Sequence, residues 1–101
     1  MKQYRFLDEA DAEFQEQVRY YDKQVAGLGD RFIADVENII THVRRYPQSG
    51  VRVSRNLRKR VLTVFRHDVL YVDALDEVIV VAVAPHSRRP GYWRDRLKKL
   101  G

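Results

Sequence analysis

A histidine, two arginines, a tyrosine and the only tryptophan fall within the stretch Pro85-His86-Ser87-Arg88-Arg89-Pro90-Gly91-Tyr92-Trp93. Each of these side chains could do chemistry. The imidazole of His86 could move a proton near neutral pH. Arg88 and Arg89 could hold a phosphate or stabilise developing negative charge. Tyr92 or Trp93 could stack on a nucleobase. The competing reading is structural: the two aromatics close the edge of a core, and the arginines bind an acidic helix surface. Composition alone leaves both readings open.

A second group lies upstream. Arg58, Arg60, Leu62, Val64 and Arg66 share parity on a segment, residues 58–65, that predicts a strand. In an extended chain they would face one way, with guanidinium groups at steps of roughly 7 Å, about the phosphate spacing of a nucleic-acid strand. Alternatively Leu62 and Val64 face a core and the arginines reach out at the sheet ends. Two further histidines carry less: His42 sits beside Val43 on a helical stretch, and His67 sits in Arg66-His67-Asp68 between two strands.

Other chemistries are excluded by what is missing. The chain has no cysteine, so disulfides and thiolate chemistry are absent, and a reducing cytoplasm is the expected compartment. No His/Cys/Asp/Glu set has zinc-ligand spacing, the five glycines are scattered rather than gathered into a phosphate loop, and Ser49, Ser54 and Ser87 lack a nucleophile-elbow context. Neither a metal nor a small-molecule cofactor is therefore expected. The acids of the first helical segment read as solvated surface. No long apolar run follows Lys2 or occurs elsewhere, so neither a secretory leader nor a membrane span is expected.

Charge distribution adds direction. The formal net charge is +5, but residues 1–37 carry nine acids and five bases, net −4, and residues 38–101 carry fourteen bases and five acids, net +9. From Asn38 to His67 there is no acid at all. A polyanionic partner fits this imbalance, either nucleic acid or an acidic protein surface. Arginine outnumbers lysine there, which favours forked contacts with phosphate or carboxylate.

The elements that position these residues follow from periodicity. Gln3–Leu7 alternates as a strand. Asp8 is placed as the cap of a helix whose apolar stripe is Ala10, Phe14, Val18, Tyr21 and Val25, with Gly27 and Gly29 at its end. A second helix from near Asp30 carries Phe32, Val36, Ile39, Ile40 and Val43, and Pro47 and Gly50 stop it. Beyond Gly50 the pattern becomes extended. Val51–Val53 reads as a short strand or a loop, and residues 58–65, 69–73 and 78–83 read as strands. The run Val78–Val83 is apolar throughout, which suits a central strand covered on both faces. Tyr92–Leu100 reads as a last short helix or a frayed end. One domain over residues 1–101 is expected, an α+β fold of order β-α-α-β-β-β. Its helical hairpin packs on one face of a small, mainly antiparallel sheet, leaving the other face open as a basic groove.

The chain resembles the RelE/ParE toxins of bacterial type II toxin–antitoxin systems. The likeness lies in Tyr20-Tyr21 through Gly27-Leu28-Gly29, then Arg31-Phe32 and Val36, Pro47, the Arg-rich strand ending at Phe65, Tyr71, and the closing Ala82-Val83-Ala84, His86, Arg88–Trp93 and Arg96. It covers nearly the whole chain. Many members have Phe-Pro-Tyr where this chain has Phe65-Arg66-His67, and many place His where Pro85 stands. The resemblance implies a growth-inhibiting toxin held inactive by a cognate antitoxin and associated with plasmid stabilisation. Its target would be DNA gyrase in ParE-like members, or ribosome-bound mRNA in RelE-like members that cut it without a metal. In the ribonuclease reading the catalytic residues are Arg60, Arg66, His86, Arg88 and Tyr92. For target or antitoxin binding they are Arg58, Arg60, Arg66, Arg88, Arg89 and Trp93. A toxin-like binding module without activity is the remaining alternative, so whether the chain is an enzyme stays open at this point.

Overall fold

The computed structural model describes residues 1–100. Strand β1 (Gln3–Phe6) leads into helices α1 (Asp8–Gln24) and α2 (Leu28–Arg45). A 3-10 turn at Pro47–Ser49 precedes β2 (Val51–Ser54), β3 (Leu57–Val61), β4 (His67–Asp73) and β5 (Glu77–Pro85), and a 3-10 segment (Arg94–Leu100) closes the chain. The five strands form one sheet in the order β1-β5-β4-β3-β2. Only β1 runs parallel to its neighbour, β5.

The helical hairpin forms because two apolar stripes at helical spacing need one shared cover. Phe32, Val36, Ile39, Ile40 and Val43 of α2 are all buried, as are Ala10 and Phe14 of α1. They meet the helix-facing residues of the sheet, where Phe6, Phe14 and Phe32 stack with centroids 5.6–5.7 Å apart. Two start signals fall differently from the sequence expectation. Leu7, not Asp8, precedes α1, and no side chain caps it; Asp8, Glu9 and Asp11 lie in the first turn, where the helix dipole favours acids. Val25 ends α1 as an exposed extended residue, so it leaves the stripe. Gly27 turns the chain at φ 85°, a left-handed conformation suited to glycine. The Asp22 side chain then accepts a hydrogen bond from Gly29 N at 2.8 Å.

Strand β5 is central, and residues 78–84 are buried without a break, as an apolar run requires. The 58–65 segment is shorter as a strand than its composition predicts. It ends at Val61, because the carboxylate of Asp35 on α2 gathers the N–H groups of Thr63, Val64 and Phe65 at 3.1, 2.8 and 3.1 Å. Val51–Ser54 is a true strand, the exposed edge of the sheet.

The sheet face away from the helices is not open. The C-terminal segment lies over it: Trp93 is buried, and Leu97 and Leu100 pack on the core, sharing a hollow with Val72 and Ile79. The expected broad basic groove is therefore closed by the chain's own end. The outer apolar residues Leu70, Val72, Ile79 and Ala82 need a cover, and the last residues supply it.

Tyr71 shows how the edge hairpin is tied to α2. Its side chain is fully buried; the hydroxyl donates to Pro47 O at 2.7 Å and accepts from Gly50 N at 2.9 Å. A Cβ at residue 50 would stand 2.5 Å from that hydroxyl, so the close approach requires glycine. Tyr71→Phe leaves a buried donor and an acceptor unpaired and should cost about 1–2 kcal/mol in urea unfolding. An unchanged midpoint would show that water replaces both bonds.

Candidate functional site

Strand β5 runs past the end of β1, since β1 pairs only with residues 77–80. Beyond that point the free edge of β5 would present unpaired backbone groups. Side chains of α1 cover it. Glu13 Oε1 accepts from Val83 N at 3.1 Å, and Gln17 Nε2 donates to Val83 O at 2.9 Å. Arg96 Nη1 donates to Val81 O at 3.0 Å.

Glu13 is the hub of this edge, its side chain 8% exposed. Arg96 binds both carboxylate oxygens, Nη1 to Oε1 at 3.0 Å and Nη2 to Oε2 at 3.3 Å. The Tyr92 hydroxyl donates to Oε2, and Arg88 Nη1 lies 3.5 Å from the same oxygen. The Arg88 guanidinium also covers the Tyr92 ring at 3.7 Å, and that of Arg96 stands 5.2 Å from it. Burial first, and then the bond to Glu13, hold the Tyr92 proton far more tightly than a free phenol does.

A cleft of about 930 Å³ opens here between α1 and the end of the sheet. Glu9, Glu13 and Glu16 line one wall, and Arg66, Arg88 and Arg96 line the other, with Tyr20, His67 and His86 between them. His86 Nε2 stands 2.9 Å from Asp68 Oδ1. His67 is buried against the rings of Phe32 (4.8 Å) and Tyr21 (5.9 Å), and its Nδ1 has no partner. Burial above all, and then the nearby charge of His86, lower its pKa to about 4.

That shift makes a pH prediction. Between about 6.5 and about 4 the unfolded chain binds a proton that the folded His67 refuses. Folding stability is therefore lost as pH falls through this window, by about 3 kcal/mol from this residue. Urea melts at about pH 7 and pH 4 should show the difference, and His67→Phe should lessen it. An identical acid sensitivity in His67→Phe would assign the loss to other groups.

The sequence-derived candidates separate into three places. Arg88 and Tyr92 come together at Glu13 and are engaged with it. His86 lies at the cleft rim but turns to Asp68. The side chains of Arg66 and Arg89 are exposed and make no hydrogen bond or ion pair among the described residues. Trp93 does not join the cleft; it is buried on the outer sheet face. Arg58 and Arg60 are not on that face with an open groove. They pair in register with Tyr71 and Val69, on the helix side. Arg58 Nη1 donates to Gln48 O (3.3 Å) and Gly50 O (3.0 Å), and Arg60 Nη1 donates to Ser49 Oγ (2.9 Å) beside His42 Nδ1 (2.7 Å).

Glu13 and Asp35 are the residues that sequence reasoning missed. The signal was present: Glu13 falls at helical steps from Ala10 and Gln17, and Asp35 from Phe32 and Ile39, so both lie along buried stripes.

The family comparison places the chain among the small α+β toxins of the RelE/ParE type. The family model described as ParE toxin of type II toxin-antitoxin system, parDE, matches residues 4–90, and the chain belongs to that family. The matched span ends before Tyr92, Trp93 and Arg96. Among solved structures, the chain is similar to one titled "Chromosomal ParDE TA system from P. aeruginosa", with a TM-score of 0.61 at 12% identity over 84% of this chain and 96% of that one. No curated protein matches the chain. No helix among the described residues is long and apolar enough to cross a membrane.

Proposed function

We propose that this toxin arrests growth by acting on DNA gyrase in the cytoplasm, and that a cognate antitoxin protein neutralises it. Membership of the ParE family supports the target, and the wiring of the cleft is the observation that carries it. A metal-independent ribonuclease needs a group free to take a proton and arginines free to meet a phosphate. Tyr92 holds its proton and gives its hydrogen bond to Glu13. Arg88 and Arg96 are both held by that one carboxylate, and His86 is turned to Asp68. This arrangement ties Tyr92, Arg88 and Arg96 to the chain's own carboxylate, which supports a contact surface over a catalytic centre.

The same surface suits an antitoxin. The mixed-charge cleft and the exposed Arg66 and Arg89 offer contacts to a segment that orders on binding. The discriminating experiment adds the purified chain to a gyrase supercoiling reaction and to a translating ribosome extract. Inhibited supercoiling with trapped, cleaved DNA is the expected outcome. Codon-positioned mRNA cuts with normal gyrase would overturn the proposal in favour of the RelE-like reading.

A further inference from the structure

Seven ion pairs join side chains of the described residues, and none uses a base from residues 38–66. The eight bases of that acid-free run thus remain without carboxylate partners, whereas Arg88, Arg96, Lys98 and Lys99 at the chain end are paired. Folding gathers part of the run into one corner, formed by the last turns of α2, the Pro47–Ser49 turn, β2 and β3, while Arg66 lies at the cleft and Lys59 on the other sheet face.

Four arginines organise it. Arg52 stands opposite Arg58 in register across the edge hairpin, and Arg60 follows two residues on, about 7 Å along the same face. The Arg60 contact with His42 brings α2 against this row, and Arg45 lies one turn beyond His42 on the same helix face. The hydrogen bonds of Arg58 and Arg60 all run through Nη1 and end on carbonyl, hydroxyl or imidazole groups, none on a carboxylate. Their Nε and Nη2 donors make no bond among the described residues. Both heads are held in place with charge unspent and donors to spare.

We propose that this corner binds the phosphate backbone of duplex DNA. Guanidinium groups at that spacing match successive phosphates on one strand. An acidic protein segment would require apolar anchors beside the charges. The exposed apolar residues of the hairpin, Val51, Val53 and Val61, belong to the other side, with Lys59 and Asp68. A single strand would require a row of stacking rings. Tyr46 is the one exposed aromatic here, and it stacks on His42. What remains is a base-rich, sequence-blind surface of the kind that positions a protein on a duplex. DNA binding by the chain itself requires no gyrase, so this assignment is tested apart from the target proposed above.

The test is a salt titration of the full chain binding a labelled DNA duplex. Arg45→Gln with Arg52→Gln removes two charges that hold nothing inside the protein. The slope of log affinity against log salt should flatten by about 1.8, at about 0.9 per lost phosphate contact. Arg19→Gln with Lys23→Gln, an equal charge loss on exposed positions of α1, should leave the slope unchanged. Adding Arg60→Gln to the first pair should flatten it further, with circular dichroism confirming the fold. Equal flattening in the control pair, or no binding to the duplex at physiological salt, overturns the proposal. So does tighter binding to a single strand, to duplex RNA or to a polyglutamate peptide.

Discussion

Replacing Glu13 by alanine should destabilise the folded chain by about 4 kcal/mol, since removal of one partner strands buried charge. Arg96 is only 15% exposed at its side chain and has Glu13 as its one acidic partner. The variant leaves that guanidinium, the Val83 N–H and the Tyr92 hydroxyl without their acceptor. Glu13→Gln keeps the shape and one oxygen but turns an amide donor towards a donor, so an intermediate loss is expected. The two effects can be told from a general weakening by where they act. Hydrogen exchange should speed up first in residues 92–100 and at Val83, and the Tyr92 phenol should titrate lower. A Glu13→Ala protein that unfolds at the wild-type urea concentration would contradict the hub role.

Asp35→Ala should cost a comparable amount, about 4 kcal/mol, for a different reason. No base faces this carboxylate in an ion pair; it is satisfied by three consecutive backbone N–H groups of the β3–β4 connection. Such charge-assisted bonds contribute about 1.5–3 kcal/mol each, discounted here because Thr63 and Val64 are exposed and water can return. The loop carries Phe65 onto Tyr21 and Phe32 at 4.9 and 5.2 Å, so its release also loosens the aromatic cluster around His67. Equilibrium unfolding of Asp35→Ala and Asp35→Asn reads the effect. A loss below about 1 kcal/mol would mean that the loop holds its turn without the carboxylate.

Much of the architecture is written in local pattern. The α2 stripe is buried at every expected position because its apolar residues recur at unbroken helical spacing. Central placement of β5 follows from six consecutive apolar residues, which no one-sided strand would carry. Outcomes set by distant partners were not legible. Glu13 reads as one acid among several on a charged helix, and its donors lie some seventy to eighty residues away, at Val83, Tyr92 and Arg96. The short β3 has the same origin, because an acid on α2 bends residues that by composition favour a strand. The outer sheet face was expected to be open because the helical hairpin covers only the other face, and the closing segment reads as a short helix or a frayed end. Its apolar members fold back over the sheet instead, Trp93 beside Leu70 and Ala84, and Leu97 and Leu100 beside Val72 and Ile79.

The candidate site was legible by residue type and not by role. Arg88 and Tyr92 meet as their chemistry suggests, but around the chain's own carboxylate. Arg58 and Arg60 are organised, but on the helix side of the edge hairpin, by carbonyl and hydroxyl groups of the turn after α2. A polyanion can still reach them there, whereas Arg88 and Arg96 in the cleft are held by Glu13. This division favours a toxin that works by contact over one that cuts RNA.

The most direct measurement is a gyrase cleavage assay run with the wild-type chain and with His86→Ala, which removes the cleft's exposed imidazole. The account predicts that linear DNA accumulates with toxin concentration to the same extent for both proteins. An absence of trapped DNA with the wild type, or mRNA cleavage in translating extract that disappears with His86→Ala, would contradict it.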